Sequence, residues 1–452
     1  MSSHARNFDG LSVPADFELG VATSSWQIEG DSAGRGVANW DEFAAIPGNV
    51  ADGAGADPAC DHVNRLEEDL DLLAWLGVDA YRFSISWPRV MPTGTGAHSQ
   101  SGLDFYDRLV DGLIARNIKP VATLFHWDTP AVIEHEGGWS NRETAYKFAE
   151  YARAMATHFG DRVDQWATLN EPWCSAFLGY CAGYFAPGRT EPDVSLEAAY
   201  NLILGHGLAI NAMRDVGVTN LGIVLNIIPC LADSPDMERQ TEHVDGMQNR
   251  IFLDLLAGKG VSQLTRQSCK ELTDWSFVRD EDNAVLSTKT DWIGENYYSV
   301  NRIAAPGASE IVSIGQDTAM FPACPPVSFA PRGELTDMGW EVVPEGLLFA
   351  LKQIDEALPG TPIWICENGI ALPDSAHDPK RISYLKAHIE QAVAARESGI
   401  DIRGYFAWSL LDNLEWASGW TKKFGMIQVD PQTGKRTPKD SARWYKALLN
   451  SR

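Results

Sequence analysis

Two glutamates stand where a β-rich run of the sequence turns into a polar segment, Glu171 in ATLNEPW and Glu367 in IWICENG. A pair of carboxyl groups suits the hydrolysis of a glycosidic bond. One carboxylic acid protonates the departing oxygen, while one carboxylate engages the anomeric carbon. Each glutamate taken singly is explained equally well as an acceptor of backbone N–H groups. The two lie far apart in the chain, so the chemistry requires a fold that unites them.

Eight β-rich runs follow one another along the chain, at 17–24, 80–86, 119–126, 165–171, 220–226, 291–299, 362–368 and 402–410. Amphipathic helical patterns lie between them. In 66–76, for example, leucines repeat at helical spacing, and Gly77 is expected to end the helix. Apolar strands that alternate with such helices predict an α/β fold, a closed (β/α)8 or TIM barrel. Because such barrels with insertions exceed roughly 400 residues, we expect one domain over residues 1–452.

The residues at the carboxyl ends of barrel strands converge on one mouth. The polar or aromatic residues at those ends are Gln27, Arg82, His126, Asn170, Glu171, Asn296, Tyr298, Glu367 and Trp408. Long segments at 28–60, 172–198 and 300–345 are rich in Gly, Pro and aromatic residues and exceed ordinary connections. We therefore expect extended βα loops that build walls around an active-site mouth.

The sixth run has the period-two alternation of a strand. Asn296 and Tyr298 share one face and are expected to line the mouth together, whereas Glu295 shares the other face. A carboxylate that faces the helix layer needs a buried partner. The sequence does not identify that partner.

The formal net charge of −24 would repel the phosphates of nucleic acid and an anionic membrane surface, so we expect neither as a partner. No run approaches the ~18 apolar residues of a membrane helix, and the opening residues lack the apolar core of a secretory signal.

The seven cysteines have no metal-ligand spacing. We expect them to be reduced and to pack as small apolar side chains in a cytoplasmic protein without a metal or cofactor. The sequence does not decide whether the chain forms a homo-oligomer.

Several runs of the chain resemble signature segments of the family 1 glycoside hydrolases, the β-glucosidase family. In order, these runs are SSWQIEG, YRFSISWPRV, TLFHWDTP, TLNEPW, ENYYS, ICENG and WSLLDNLEWASGW. The tail FGMIQVDPQTGKRTPKDSARWYKALL also looks like the end of that family. The resemblance spans nearly the whole chain. It implies a retaining β-glycosidase that acts on a small carbohydrate.

The resemblance also implies the roles of the two glutamates, with Glu171 as acid/base and Glu367 as nucleophile. A nearby ionised Glu367 and aromatic neighbours would keep Glu171 protonated near neutral pH, and Arg82 would keep Glu367 charged. Residues predicted to bind the sugar are Gln27, His126, Trp127, Asn170, Tyr298, Glu415 and Trp416, with Trp408 as the floor beneath it. Arg82 and Asn296 are expected to support the glutamates.

On the leaving-group side we expect Trp340 and Phe185. Phe185 stands where the family usually has histidine, and Ile251 and Leu255 replace the usual Trp and Pro, so the resemblance does not imply a leaving-group preference. Glu415 favours a neutral sugar, because family members that act on 6-phosphorylated sugars have a small hydroxyl residue there and a carboxylate repels phosphate.

Three interpretations of function follow. The first is a β-D-glucosidase that acts on short oligosaccharides or on aryl and alkyl glycosides, with β-galactosidase or β-fucosidase activity as its alternative. The second is a catalytically silent sugar-binding relative, although such relatives usually lack one of the two glutamates. The third, a metal-dependent barrel hydrolase, is weak because the first β-rich run has no His-x-His pair.

Overall fold

Eight parallel strands form a closed barrel in which each strand pairs with the next along the chain and the last pairs with the first. The structure is a computed structural model that describes residues 5–309 and 318–451. The strands are β1 (Glu18–Ala22), β2 (Ala80–Ser84), β3 (Lys119–Phe125), β4 (Gln165–Asn170), β5 (Leu221–Leu225), β6 (Trp292–Asn296), β7 (Ile363–Asn368) and β8 (Ile402–Trp408). Each predicted run contains one of these strands, so the predicted (β/α)8 fold is confirmed.

The strands read as near-continuous apolar runs because both of their faces are covered. Strands β2, β4 and β6 are buried along their whole length. One face of each strand points into the barrel and the other meets the helix layer. The polar residues that do occur at the carboxyl ends of these strands are therefore exceptions with a local cause.

A helix follows each strand. The helices are α1 (Leu66–Leu76), α2 (Gln100–Ala115), α3 (Glu143–Phe159), α4 (Pro192–Arg214), α5 (Ile251–Leu256), α6 (Pro344–Ala357), α7 (Pro379–Glu397) and α8 (Asp440–Leu449). The predicted leucine pattern corresponds to α1, whose four periodic leucines are buried. Helix α1 ends at Gly77, which has the left-handed φ of 77° that glycine adopts without steric cost.

Shorter elements occupy the connections and the chain ends. Helical segments lie at Ser25–Ile28, Ser32–Gly34, Asn39–Ala45, Trp87–Val90, Ala131–Glu134, Gly138–Ser140, Cys174–Cys181, Pro235–Met237, Glu238–Asp245, Gly246–Arg250, Gln263–Ser268, Asp280–Asp282, Asn283–Leu286, Thr318–Met320 and Trp416–Thr421. Two hairpins pair Arg6–Phe8 with Leu11–Val13 and Ile427–Val429 with Arg436–Pro438. A small sheet contains Cys230–Ala232, Asn301–Ala304 and Ser328–Phe329.

All seven cysteines are free thiols, and five of them are buried. Across residues 5–309 and 318–451, no cluster of three or more His, Cys, Asp or Glu side chains is arranged to hold a metal ion. None of the helices described above is long and apolar enough to cross a membrane.

A buried ion pair ties the C-terminal segment to the loop after β8. Lys439 Nζ donates to Asp412 Oδ1 at 2.8 Å, and both side chains are fully buried. The backbone N–H of Gly425 donates to the same carboxylate oxygen at 2.9 Å. Burial raises the pKa of Asp412 and lowers the pKa of Lys439, and the charge of each residue opposes the shift of the other. The pair therefore holds in place the segment that leads to Glu415.

Replacing Lys439 by Met should leave the Asp412 carboxylate buried without the cation that is hydrogen-bonded to it. We expect the free energy of unfolding to fall by about 3–5 kcal/mol, measured from urea-induced unfolding. Lys380→Met is the matched control, since Lys380 pairs with Glu334 at the surface. That control should unfold close to the wild-type midpoint. A Lys439→Met protein as stable as the control would show that the buried pair does not hold the loop.

Candidate active site

A cavity opens at the carboxyl ends of the barrel strands, and the space inside it together with its mouth, which is open to solvent, is about 890 Å³. The predicted site residues that line it are His126, Trp127, Glu171, Phe185, Asn296, Tyr298, Trp340, Glu367, Trp408, Glu415 and Trp416. The rest of its wall is formed by Trp173, Cys174, Leu178, Asn226, Ile228, Ser299, Asn301, Met338, Ser418 and Phe424. The barrel thus brings Glu171 and Glu367 to one cavity.

Two of the three long segments predicted to wall the mouth contribute lining residues, namely 172–198 and 300–345. Residues 310–317 of the second segment lie outside the described residues. Segment 28–60 contributes none of the lining residues named above. Its Trp40 packs behind the wall instead, with its ring 5.2 Å from Phe185 and 4.7 Å from Trp416. This segment therefore supports the wall rather than forming it.

Glu367 lies in β7 and holds two polar partners in the cavity. Arg82 from β2 donates to Glu367 Oε1 at 2.7 Å, and the Tyr298 hydroxyl donates to Oε2 at 2.8 Å. Burial raises the pKa of Glu367, whereas the charge of Arg82 and the hydrogen bonds oppose that rise. Because Arg82 is aimed directly at this carboxyl group, Glu367 is the member of the pair that ionises first.

Glu171 directly follows β4, and its backbone N–H donates to Val224 O at 2.9 Å. Asn296 Nδ2 donates to Glu171 Oε1 at 2.6 Å, and the Cys174 thiol donates to Oε2 at 3.0 Å. Burial, followed by the negative charge of Glu367, raises the pKa of Glu171 to about 7. Glu171 therefore keeps its proton at a higher pH than an ordinary glutamate does, and it faces the carboxyl group that Arg82 helps to ionise. Acid-assisted bond cleavage needs this arrangement.

A hydrogen-bonded chain beneath the cavity connects these groups. Arg82 donates to Asn170 Oδ1 at 2.6 Å, and Asn296 Nδ2 donates to the same oxygen at 3.0 Å. Asn170 Nδ2 lies 3.1 Å from His126 Nε2, and since the amide nitrogen donates, Nε2 accepts and the ring proton is on Nδ1. Burial and the charge of Arg82 lower the pKa of His126 well below its usual value, so the ring is neutral.

Arg82, Asn170 and Gln27 do not line the cavity. Arg82 and Asn170 lie behind the two glutamates and position them. The amide nitrogen of Gln27 donates to Asn413 Oδ1 at 3.0 Å and to Leu414 O at 2.6 Å. Its Oε1 accepts from the Ser24 hydroxyl at 2.6 Å. Contacts of Gln27 and Asn170 with a sugar therefore stay predictions.

Aromatic rings form much of the wall. Trp127 and Trp416 lie 4.3 Å apart between ring centroids, and Trp408 stacks on His126 at 6.0 Å. On another side, Trp340 packs against Tyr298 at 5.5 Å. Indole planes beside hydrogen-bonding edges match a pyranose, which has apolar C–H faces and polar rims.

Glu415 is a third carboxyl group in the same cavity. Its Oε2 is buried and has no hydrogen-bond partner in the described part of the chain. Burial and the charges of Glu367 and Glu171 raise the pKa of Glu415 to about 8. Such a group can exchange hydrogen bonds with neutral hydroxyls.

The backbone is unusual at three lining residues. Glu171, Trp127 and Trp416 have left-handed φ angles of 44°, 77° and 48°. This region costs roughly 1–2 kcal/mol for a residue with a Cβ atom and persists only where the surroundings enforce it. At these three positions the left-handed backbone belongs to residues whose side chains line the cavity.

Sequence reasoning missed some lining residues. Asn226 directly follows β5, so the rule that strand ends meet at the mouth points to it as well. Cys174 was expected to be a small apolar side chain, but its thiol contacts Glu171. The unnamed partner of Glu295 is the backbone N–H of Ile227, which donates to Oε2 at 3.2 Å, and burial raises the pKa of this carboxyl group well above its usual value.

Comparison with known proteins gives a consistent result. Residues 11–452 match the family described as glycosyl hydrolase family 1. Beta-glucosidase A of Thermotoga maritima is 41% identical, covering 97% of this chain and 98% of the relative. A bifunctional beta-D-glucosidase/beta-D-fucosidase of Bifidobacterium breve is also 41% identical, covering 96% and 98%. A structure of the Thermotoga maritima beta-glucosidase in complex with deoxynojirimycin matches with a TM-score of 0.89 at 39% identity, covering 99% of both chains.

Replacing Arg82 by Met should raise the pKa of Glu367 further, because burial then acts without an opposing charge. Tyr298→Phe is the matched control, since it removes only one hydrogen bond from the same carboxylate and should cause a smaller rise. Carbon-13 NMR titration of the glutamate carboxyl carbons measures both, with the Glu367 signal identified by its absence in Glu367→Gln. An unchanged or lower pKa in Arg82→Met would contradict the assigned role of the guanidinium.

Proposed function

Because this chain belongs to glycosyl hydrolase family 1, we propose that its cavity hydrolyses terminal β-D-glucosyl residues with Glu171 as acid/base and Glu367 as nucleophile. The observation that carries the proposal is that both carboxyl groups line one cavity in different environments. Glu367 faces a guanidinium, whereas Glu171 is buried and faces a carboxylate. Family 1 is a retaining family, so we expect this pair to act by retention of the anomeric configuration, through a covalent glycosyl–enzyme intermediate.

In the first half-reaction, Glu367 forms a bond to the anomeric carbon as the bond to the leaving oxygen breaks. Glu171 gives its proton to that oxygen. Oε1 of Glu171 is already an acceptor for Asn296, so the transferred proton belongs on Oε2. Arg82 and Tyr298 hold the attacking carboxylate and keep it ionised beforehand.

In the second half-reaction, Glu171 acts as a base. Once Glu367 is esterified its negative charge is gone, so the pKa of Glu171 falls and the carboxylate can accept a proton from water. Water attacks the anomeric carbon, and Glu367 departs as a carboxylate that Arg82 stabilises again. The change in charge on Glu367 thus switches Glu171 between its two roles.

The sugar is expected to meet polar groups that the protein leaves unsatisfied. His126 Nδ1 has no hydrogen-bond partner within the described chain and can donate to a hydroxyl, and Glu415 Oε2 is similarly available. Trp408 supplies an apolar face. Further predicted contacts are those of Gln27, Trp127, Asn170, Tyr298 and Trp416, with Trp340 and Phe185 toward the leaving group.

Short β-linked oligosaccharides such as cellobiose, together with aryl and alkyl β-glucosides, are the substrates that we propose. β-Fucoside hydrolysis is a second candidate, because the Bifidobacterium breve relative is named for both activities. The presence of both glutamates in one cavity disfavours a silent sugar-binding relative. The seven free thiols support a cytoplasmic location. We also propose that residues 1–452 form one domain.

Hydrolysis of an aryl β-glucoside should release β-glucose first, because two inversions at the anomeric carbon restore its configuration. Proton NMR in the first minutes of the reaction, before mutarotation, reads the anomeric signal directly. Early α-glucose would overturn the retaining mechanism. Glu367→Gln serves as the control and should release neither anomer at a measurable rate.

Azide should distinguish the two glutamates. In Glu367→Gly, azide can occupy the space of the missing nucleophile and should form an α-glucosyl azide from an activated β-glucoside. In Glu171→Gly, the intermediate still forms on Glu367, so azide should attack from the opposite face and yield a β-glucosyl azide. NMR of the isolated azides identifies the anomer. The reverse pairing of variant and product would exchange the two roles.

A further inference from the structure

We propose that Cys174 is a positioning residue for the acid/base, with a thiol that holds Glu171 Oε2 in both half-reactions. This inference rests on the proposed role of Glu171. Sulfur is both a weak donor and a weak acceptor, so it can partner a carboxylic acid and a carboxylate without binding either strongly. The proton of Glu171 is then oriented and remains free to leave.

The position of Cys174 follows from the local fold. It is the first residue of the π-helix Cys174–Cys181, and its backbone N–H donates to Glu171 O at 3.0 Å. This tie holds the thiol against the carboxyl group, with Sγ at 3.0 Å from Oε2. Asn226, which directly follows β5, approaches the sulfur with Nδ2 at 3.7 Å. Both Cys174 and Asn226 line the cavity.

The two oxygens of Glu171 are divided between different partners. Asn296 Nδ2 donates one hydrogen to Oε1 and the other to Asn170 Oδ1, so Oε1 is committed as an acceptor. The acidic proton therefore sits on Oε2, beside the sulfur. When Oε2 is protonated, Sγ accepts a weak hydrogen bond from it until the proton passes to the leaving oxygen. When Oε2 is ionised, the S–H donates to it.

The thiol remains protonated throughout. Burial and the negative charge of Glu171 raise the pKa of Cys174 well above its usual range. The other titratable or charged groups that face Glu171 come from separate elements, namely Glu367 on β7, Arg82 on β2, Glu295 and Tyr298 in and after β6, and Glu415 after β8. Substituting Cys174 leaves all of them in place.

The test compares Cys174→Ser with Cys174→Ala in the pH dependence of kcat/KM for an alkyl β-glucoside, whose leaving oxygen needs a proton. The alkaline limb reports loss of the proton from Glu171. A hydroxyl is a stronger donor to the carboxylate, so Ser should move this limb to lower pH. Ala removes the donor and should move the limb to higher pH. We expect shifts of about half a pH unit in each direction.

Control variants separate this role from packing. Cys181 lies at the other end of the same π-helix, where its thiol donates to Ala319 O at 3.1 Å outside the cavity. Cys181→Ala therefore removes a thiol from the same helix and should leave the limb unmoved. Cys174→Val should move the limb in the same direction as Cys174→Ala. The larger Val side chain leaves no room for a water molecule that could replace the thiol, and this variant also keeps the test possible if Cys174→Ala folds poorly.

The outcomes separate three cases. Opposite shifts for Ser and Ala support the proposal, as does a smaller loss of kcat/KM for a 2,4-dinitrophenyl glucoside, whose leaving group needs no proton. Limbs that stay in place, or that move in one direction for both variants, overturn it and leave Cys174 as a packing residue. An alkaline limb that persists in Glu171→Gln would instead contradict the acid/base role of Glu171 itself.

Discussion

The ion pair between Arg82 and Glu367 is the interaction on which the arrangement of the cavity depends. Glu171, Glu367 and Glu415 are buried together, and burial drives each of them to bind a proton. Arg82 donates to only one of the three, so ionisation of that carboxyl group is favoured, whereas the raised pKa values of Glu171 and Glu415 favour their protonated forms. The same guanidinium donates to Asn170 and thereby orders the chain of amides behind the glutamates.

The closed barrel makes this arrangement rigid. Arg82, Asn170, Asn296 and Glu367 lie on four different strands, and each strand is held by backbone hydrogen bonds to neighbours on both sides. Side chains that project from such strands keep their relative positions more precisely than side chains on loops do. Glu415 lies outside this frame, in a loop, and the buried pair of Asp412 with Lys439 supplies the anchoring there.

Rules based on strand ends found six of the lining residues, because the carboxyl ends of parallel strands meet at one mouth whatever their distance in sequence. These six are His126, Glu171, Asn296, Tyr298, Glu367 and Trp408. These rules do not give the direction in which a side chain points. Gln27 lies just beyond β1, yet its amide bonds to Asn413 and Leu414. Cysteine usually packs as a small apolar side chain. The thiol of Cys174 gains a polar partner only because the π-helix begins beside Glu171.

Local pattern determined the eight strand and helix units and the identity of the two glutamates, since periodicity and short motifs are carried by neighbouring residues. The resemblance already implies that Glu171 holds the proton, but the physical cause of its raised pKa lies in the tertiary structure. The pKa of a carboxyl group depends on burial and on charges a few ångströms away, and for Glu171 those charges come from β2 and β7. The partner of Glu295 was likewise decided by the tertiary structure, since it is the backbone N–H of Ile227, just beyond the end of β5. Sequence spacing does not specify such contacts, because barrel closure creates them between residues distant in the chain.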